Sequence, residues 1–214
     1  MVSTGQIVIL NGPSRAGKST LARAVQQGVP GVWMHIGMDA NKACTPPSLQ
    51  PGVGLRPLTD MGQVNPWVEA HIPILFAALY ESVAAHARLG LDVVMDINHH
   101  ESYSVPYGIL GDCARRLTGL PVLFVGVRCP LDAIWERRAA TWGQVPGSVA
   151  ADVTAAVELA QTASHAHGPY DLEIDTFVYG PAEGADLIGQ RVADGPPGSA
   201  FFTHAGRGAD GPER

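Results

Sequence analysis

Ile7-Val8-Ile9-Leu10-Asn11-Gly12-Pro13-Ser14-Arg15-Ala16-Gly17-Lys18-Ser19-Thr20 is the stretch that decides the fold. Four apolar residues lead into a glycine-bounded turn, and Thr20 to Gln27 continues in a helical pattern. From Gly12 to Ser19 the chain satisfies G-x-x-x-x-G-K-[ST] at every fixed position. A strand passing through such a turn into a helix aims several backbone N–H groups and the positive end of the helix dipole at one anion. The expected occupant is the triphosphate of ATP or GTP, cradled by Gly12, Pro13, Ser14, Arg15, Ala16, Gly17, Lys18, Ser19 and Thr20. Gly12 and Gly17 allow a close backbone approach that a Cβ would obstruct, and Lys18 reaches the β and γ phosphates as a point charge. Ser19 is expected to offer its hydroxyl to Mg²⁺, which keeps several waters and needs few protein atoms.

Outward from this loop, strand-length apolar runs recur at Gln6 to Asn11, Val32 to Gly37, Leu91 to Asp96, Leu120 to Val127 and Leu172 to Thr176. Helical patterns separate them at Gly17 to Gln27, Trp67 to Arg88, Val105 to Leu117, Leu131 to Thr141, Val149 to His165 and Ala182 to Val192. That alternation builds βαβ units, and continuous rather than alternating apolarity suits strands covered on both faces. The reading is an α/β fold: a P-loop NTPase-type parallel five-stranded sheet with helices on both faces and a short lid. Asn65-Pro66 reads as an N-cap followed by a first-turn proline, and Pro73 is expected to bend or delay the same helix. Thr45 to Asn65 and Thr141 to Ser148 read as functional loops. Residues 1–194 form a single expected domain, with a disordered Gly- and Pro-rich tail over 195–214.

Composition narrows the partners. The 214 residues carry a formal charge of −6 with no run of Lys and Arg, which disfavours nucleic acid or an anionic membrane as partner. Any polyanion must be held by a local site. Cys44, Cys113 and Cys129 are odd in number and far apart, so neither a disulfide framework nor a zinc site is expected. No signal-peptide pattern and no uninterrupted apolar run of membrane length stands in the sequence. A cytoplasmic location is the expectation, with self-association left open.

A triphosphate cradle also serves switches and motors, so a kinase needs an acceptor-activating group. Asp39 follows the second strand at the edge where open α/β sheets bind ligands, and it is the candidate base for an acceptor hydroxyl. An N-capping role for the same residue is the simpler alternative. Asp96 ends the third strand beside the loop and is read as a ligand to Mg²⁺ or its waters, and as a neighbour of the acceptor; an aspartate anchoring the following loop by hydrogen bonds is the simpler alternative. Arg137 and Arg138 form the candidate arginine lid that stabilises charge on the transferring phosphoryl and excludes water, the simpler alternative being a solvated helix face in weak pairs with Glu136. His99 and His100 lack a third ligand at metal spacing, so acceptor contact is the preferred reading. Trp67, Trp142, Tyr103 and Tyr107 are further candidates for a pocket wall, although aromatics more often pack.

The sequence resembles the chloramphenicol phosphotransferase family of antibiotic kinases. The likeness rests on Ile9-Leu10-Asn11-Gly12 leading to Ala16-Gly17-Lys18-Ser19, on Gly37-Met38-Asp39, on Val122 to Cys129 and on Tyr170 to Thr176. It implies a kinase that phosphorylates, and so inactivates, a hydroxyl-bearing antibiotic. Asp39 then matches the family's catalytic base, Lys18 and Ser19 its phosphate and Mg²⁺ residues, and Arg137 its lid helix. Asp96 to His100, Gln144 and the Thr45 to Asn65 loop depart from the family pattern. The implied acceptor class therefore extends from chloramphenicol-like molecules to nucleoside antibiotics of the capuramycin type. A metabolic kinase of the shikimate, gluconate or nucleotide type is the second reading; its anionic acceptor would call for more Lys and Arg than these loops hold. A nucleotide-dependent switch is the third, and no guanine-specifying Asn-Lys-x-Asp segment supports it.

Overall fold

In strand β1 (Ile7–Asn11), Ile7 and Ile9 enter one hydrophobic core while Val8 and Leu10 enter another. Successive strand residues point to opposite faces, so a strand that is apolar throughout must lie between two layers. The computed structural model, which describes residues 3–50, 52–53, 65–100 and 102–206, has that arrangement. Strands β2 (Trp33–Gly37), β3 (Asp92–Ile97), β4 (Val122–Arg128) and β5 (Leu172–Asp175) join β1 in one parallel sheet of order β2-β3-β1-β4-β5. The expected five-stranded α/β sheet is therefore what the chain forms, with β2 and β5 as its edges.

Seven helices are described: α1 (Lys18–Gly28), α2 (Met38–Cys44), α3 (Pro66–Arg88), α4 (Ile109–Arg116), α5 (Leu131–Trp142), α6 (Ala151–Ala163) and α7 (Pro181–Asp194). On one face Leu21, Ala22 and Val25 of α1 meet Ala185 and Ile188 of α7 over Val8 and Leu10. On the other, Phe76, Tyr80, Val83 and Ala84 of α3 and Cys113 and Ala114 of α4 cover Ile7, Ile9, Val93 and Phe124. Because every strand runs the same way, the connections after β1, β2, β3 and β5 gather at one sheet edge. The site is built there.

Two sequence expectations change. Pro73 does not interrupt α3: Asn65 caps the helix by accepting the Trp67 N–H (3.0 Å), and buried Ile72 and Phe76 on either side pin the helix to the sheet. The same 23-residue helix, with an 18-residue stretch of mean hydropathy 1.3, is long and apolar enough by length and composition to cross a membrane, although Glu69, His71, Glu81 and His86 interrupt its apolar residues. In the fold, its Ile72, Phe76, Tyr80 and Val83 are buried in the core. Finally, the stretch read as a disordered tail is ordered through residue 206. Phe201 lies in a 3-10 turn (Phe201–His204), fully buried, stacked on Tyr80 at 5.9 Å and edge-on to Phe124 at 5.2 Å. The N–H groups of Ser199 and Ala200 donate to Asp171 Oδ1, so a local polar clasp offsets the Gly and Pro composition. Much of the Thr45 to Asn65 loop and the tail beyond residue 206 lie outside the described residues.

Candidate active site

The turn between β1 and α1 is shaped by its two glycines. A Cβ at Gly12 would stand 2.4 Å from the Val127 carbonyl oxygen, and Gly17 adopts φ +94°, which L side chains rarely reach. Arg15 also takes a left-handed conformation, φ 67°. Lys18 opens α1 with its side chain buried, and its Nζ donates to the Gly12 and Pro13 carbonyl oxygens, both at 2.8 Å. Burial lowers its pKa to about 8, against the opposing pull of the Asp96 and Asp39 charges. Ser14, Arg15, Gly17, Lys18, Ser19 and Thr20 line a cavity of about 630 Å³ at the sheet edge.

Strand register carries Asp96 to this loop. In β3 it pairs across from Leu10 of β1 and Gly37 of β2, so its carboxylate stands between the two neighbours. Asp96 Oδ2 accepts a short hydrogen bond from the Ser19 hydroxyl, and Oδ1 lies 3.0 Å from His35 Nε2. Burial alone would raise the Asp96 pKa. The hydrogen bonds from His35 and Ser19 and the charges of His35 and Lys18 outweigh it and hold the group below the ordinary carboxylate value. The carboxylate is therefore kept ionised beside a hydroxyl, a pair of hard oxygen donors suited to Mg²⁺. No cluster of three or more His, Cys, Asp or Glu placed to hold a metal ion exists among the described residues.

Asp39 lies in the first turn of α2, directly beyond β2, solvent-exposed and lining the same cavity. Of the two candidate arginines, only Arg137 is among the cavity-lining residues. Its Nη1 donates to the Arg15 carbonyl (3.1 Å) and Thr176 Oγ1 (3.0 Å), and its Nη2 donates to the Thr176 carbonyl (2.9 Å). Arg138 turns away: its Nη2 donates to Gln144 Oε1 at 2.6 Å, and its guanidinium lies over the Trp135 and Trp142 rings. Burial and the Arg15 charge lower its pKa. Trp142 itself reaches the cavity with Arg15 stacked on it at 3.5 Å.

His99 and His100 are not brought to the cavity. His99 is buried, with its backbone N–H donating to Asn11 Oδ1 (2.7 Å), its Nε2 2.6 Å from Tyr80 Oη, and its ring stacked on Phe76. Burial, with the nearby His167, His100 and His204, pushes its pKa well down. His100 is also buried and packs on Tyr103 at 4.6 Å. Three residues escaped the sequence reading. His35 shares a face with Gly37 by strand alternation, Asn11 immediately precedes the loop, and Thr176 ends the fifth strand run. Position signals each of them, and Asn11 and Thr176 also stand in the stretches that carry the family likeness, but nothing there marks their roles.

A parallel sheet of this order with a phosphate loop, a carboxylate from the adjacent strand and an arginine over the loop defines a P-loop phosphotransferase of the small-molecule kinase class. Comparison with known proteins places the chain more narrowly: the family described as "Chloramphenicol phosphotransferase-like protein" matches residues 5–193, and the chain belongs to it. A Mycobacterium tuberculosis (strain H37Rv) protein named "Putative O-phosphotransferase" is 30% identical over 183 residues, 80% of this chain and 75% of the relative. The Deinococcus radiodurans tunicamycin resistance protein superposes with a TM-score of 0.56 at 19% identity, covering 90% of this chain and 99% of its own. The Mycobacterium tuberculosis APS kinase CysC, solved with AMPPNP and APS, gives 0.58 at 15% identity over 90% and 99% of the two chains. At these identities the structural likenesses establish the fold.

Proposed function

We propose that the chain moves the γ-phosphoryl group of Mg²⁺-bound ATP or GTP onto a hydroxyl of a small-molecule antibiotic, chloramphenicol-like or a nucleoside, and thereby inactivates it. One observation carries the reading: the exposed carboxylate of Asp39 lines the same cavity as Lys18, Ser19 and Arg137. Phosphoryl transfer passes through a loose transition state that needs positioning and charge stabilisation more than covalent chemistry. Asp39 would accept the acceptor's hydroxyl proton and, above all, orient that oxygen in line. Lys18 would exchange its loop carbonyls for β and γ phosphate oxygens, and the triphosphate charge would restore its tendency to stay protonated. Arg137 would face the charge that spreads over the transferring group. Ser19 Oγ and Asp96, directly or through water, would hold Mg²⁺, which when bound neutralises charge across the β and γ phosphates.

The acceptor class draws support from the family's description and from the tunicamycin resistance protein among the structures of like fold. A mass-spectrometric screen tests the reading directly. The protein is incubated with Mg-ATP or Mg-GTP and a panel of chloramphenicol-like and nucleoside antibiotics. The expected outcome is one phosphate added to at least one of them; phosphorylation of shikimate- or gluconate-type acids alone would replace this function with a metabolic one.

A further inference from the structure

We infer that Thr176 is a positioning residue for the phosphoryl transfer: its side chain and carbonyl set Arg137 against the phosphate loop. The inference rests on the kinase reading above and on Arg137 acting on the phosphates. Thr176 follows β5, and its backbone N–H still pairs with the Arg128 carbonyl at 3.0 Å, so its place at the sheet edge is fixed by the ladder. A β-branched side chain is stiff about χ1, so the hydroxyl direction is fixed as well.

That hydroxyl has one proton and two lone pairs to distribute. The proton's nearest acceptor is the Ala16 carbonyl of the phosphate loop at 2.6 Å, with the Arg128 carbonyl farther off at 3.3 Å, and a lone pair accepts from Arg137 Nη1 at 3.0 Å. The Thr176 carbonyl takes the other arm of the guanidinium, Nη2, at 2.9 Å. Both terminal nitrogens of Arg137 thus grip one residue, while Nη1 also reaches the Arg15 carbonyl at 3.1 Å. A Cβ at Gly17 would stand 3.3 Å from Thr176 Oγ1 and 3.4 Å from Arg137 Nη1, so loop, threonine and arginine are in mutual contact.

The consequence is that Arg137 is placed by β5 and by the loop rather than by its own helix. An arginine on a helix surface ordinarily samples many rotamers, and holding it costs side-chain entropy at the moment of reaction. Here the cost is met in the folded state, which is what electrostatic preorganisation requires. Because the same hydroxyl orients the Ala16 peptide, a displacement of the loop is passed directly to the guanidinium.

Removing the hydroxyl without changing shape isolates this role. Thr176→Val places a methyl group against the Ala16 carbonyl and Arg137, whereas Thr176→Ser keeps the hydroxyl. The assay is hydrolysis of Mg-ATP and Mg-GTP in the absence of any acceptor, with nucleotide Kd measured by calorimetry. Thr176→Val is expected to lower turnover about 10-fold or more while Kd moves by less than about 3-fold, and Thr176→Ser is expected to stay within about 3-fold of wild type on both. In an Arg137→Ala background, Thr176→Val should cost nothing further, since coupled groups are not additive. Should the valine variant fail to fold, Thr176→Ala carries the same comparison. Equal losses in the serine and valine variants, or fully multiplicative losses in the double variant, overturn the inference while leaving the kinase reading intact. Absence of nucleotide binding and turnover in the wild-type chain overturns both.

Discussion

His35 Nε2 stands 3.0 Å from Asp96 Oδ1, while Asp96 Oδ2 accepts the hydroxyl of Ser19. One carboxylate therefore ties the edge strand β2 to the phosphate loop across β3. Gly37 completes the arrangement, because a Cβ there would fall 1.6 Å from Asp96 Oδ1. An imidazole that orients a metal-side carboxylate is worth about 10- to 100-fold in metal affinity or activity in comparable sites. His35→Ala is expected to raise the Mg²⁺ concentration giving half-maximal turnover by that factor while leaving the melting temperature within a few degrees. A Mg²⁺ titration of turnover checks it, and an unmoved midpoint would remove His35 from the site.

Phe201 ties the end of the described chain to the core. Its ring is fully buried between Tyr80 and Phe124, and truncating a buried Phe to Ala typically costs about 3–5 kcal/mol. Phe201→Ala is expected to lower the unfolding free energy measured by chemical denaturation by that amount. A loss below about 1 kcal/mol would mean that the segment detaches in solution.

The fold was legible because its signals are local or periodic. The phosphate loop occupies consecutive positions, and five apolar runs separated by helical patterns leave little choice of architecture. Residues brought together by packing were less legible. Arg137 and Arg138 are adjacent on a helix, and which one faces the cavity depends on where Trp142, Gln144 and Thr176 sit. His99 looks like a site residue by its place after β3, but Asn11 captures its backbone and Tyr80 its ring. The buried Phe201 was hidden by its Gly- and Pro-rich surroundings, where composition outweighs a single aromatic anchor.

Buried His99 and half-buried His165 make stability pH-dependent. Burial, with the Arg128 charge, lowers the His165 pKa to about 4, and burial pushes His99 well below its ordinary value. A histidine with a depressed folded pKa binds its proton first in the unfolded chain, so stability is full above about pH 6.5 and falls as the pH drops toward the folded pKa. The melting temperature should therefore decrease between pH 7 and pH 5. His165→Asn should flatten that slope, and an unchanged slope in the variant would place the titration elsewhere.

Asp39, proposed above as the acceptor base, is expected to separate binding from transfer. It lines the cavity in the first turn of α2, and its charge supports the Lys18 ammonium only after burial and Asp96 have acted. Removing the carboxylate should therefore disturb the phosphate cradle little, and Asp39→Ala is expected to leave nucleotide Kd within about 3-fold of wild type. If Asp39 is the proposed base, transfer to an acceptor hydroxyl loses the group that orients the attacking oxygen and takes its proton, with an expected fall of about 10²- to 10⁴-fold in kcat. Calorimetry with Mg-ATP or Mg-GTP alongside single-turnover transfer measures the two quantities on the same protein. Parallel losses in both would assign Asp39 to the cradle, and the acceptor base would then have to be sought among the other cavity-lining groups.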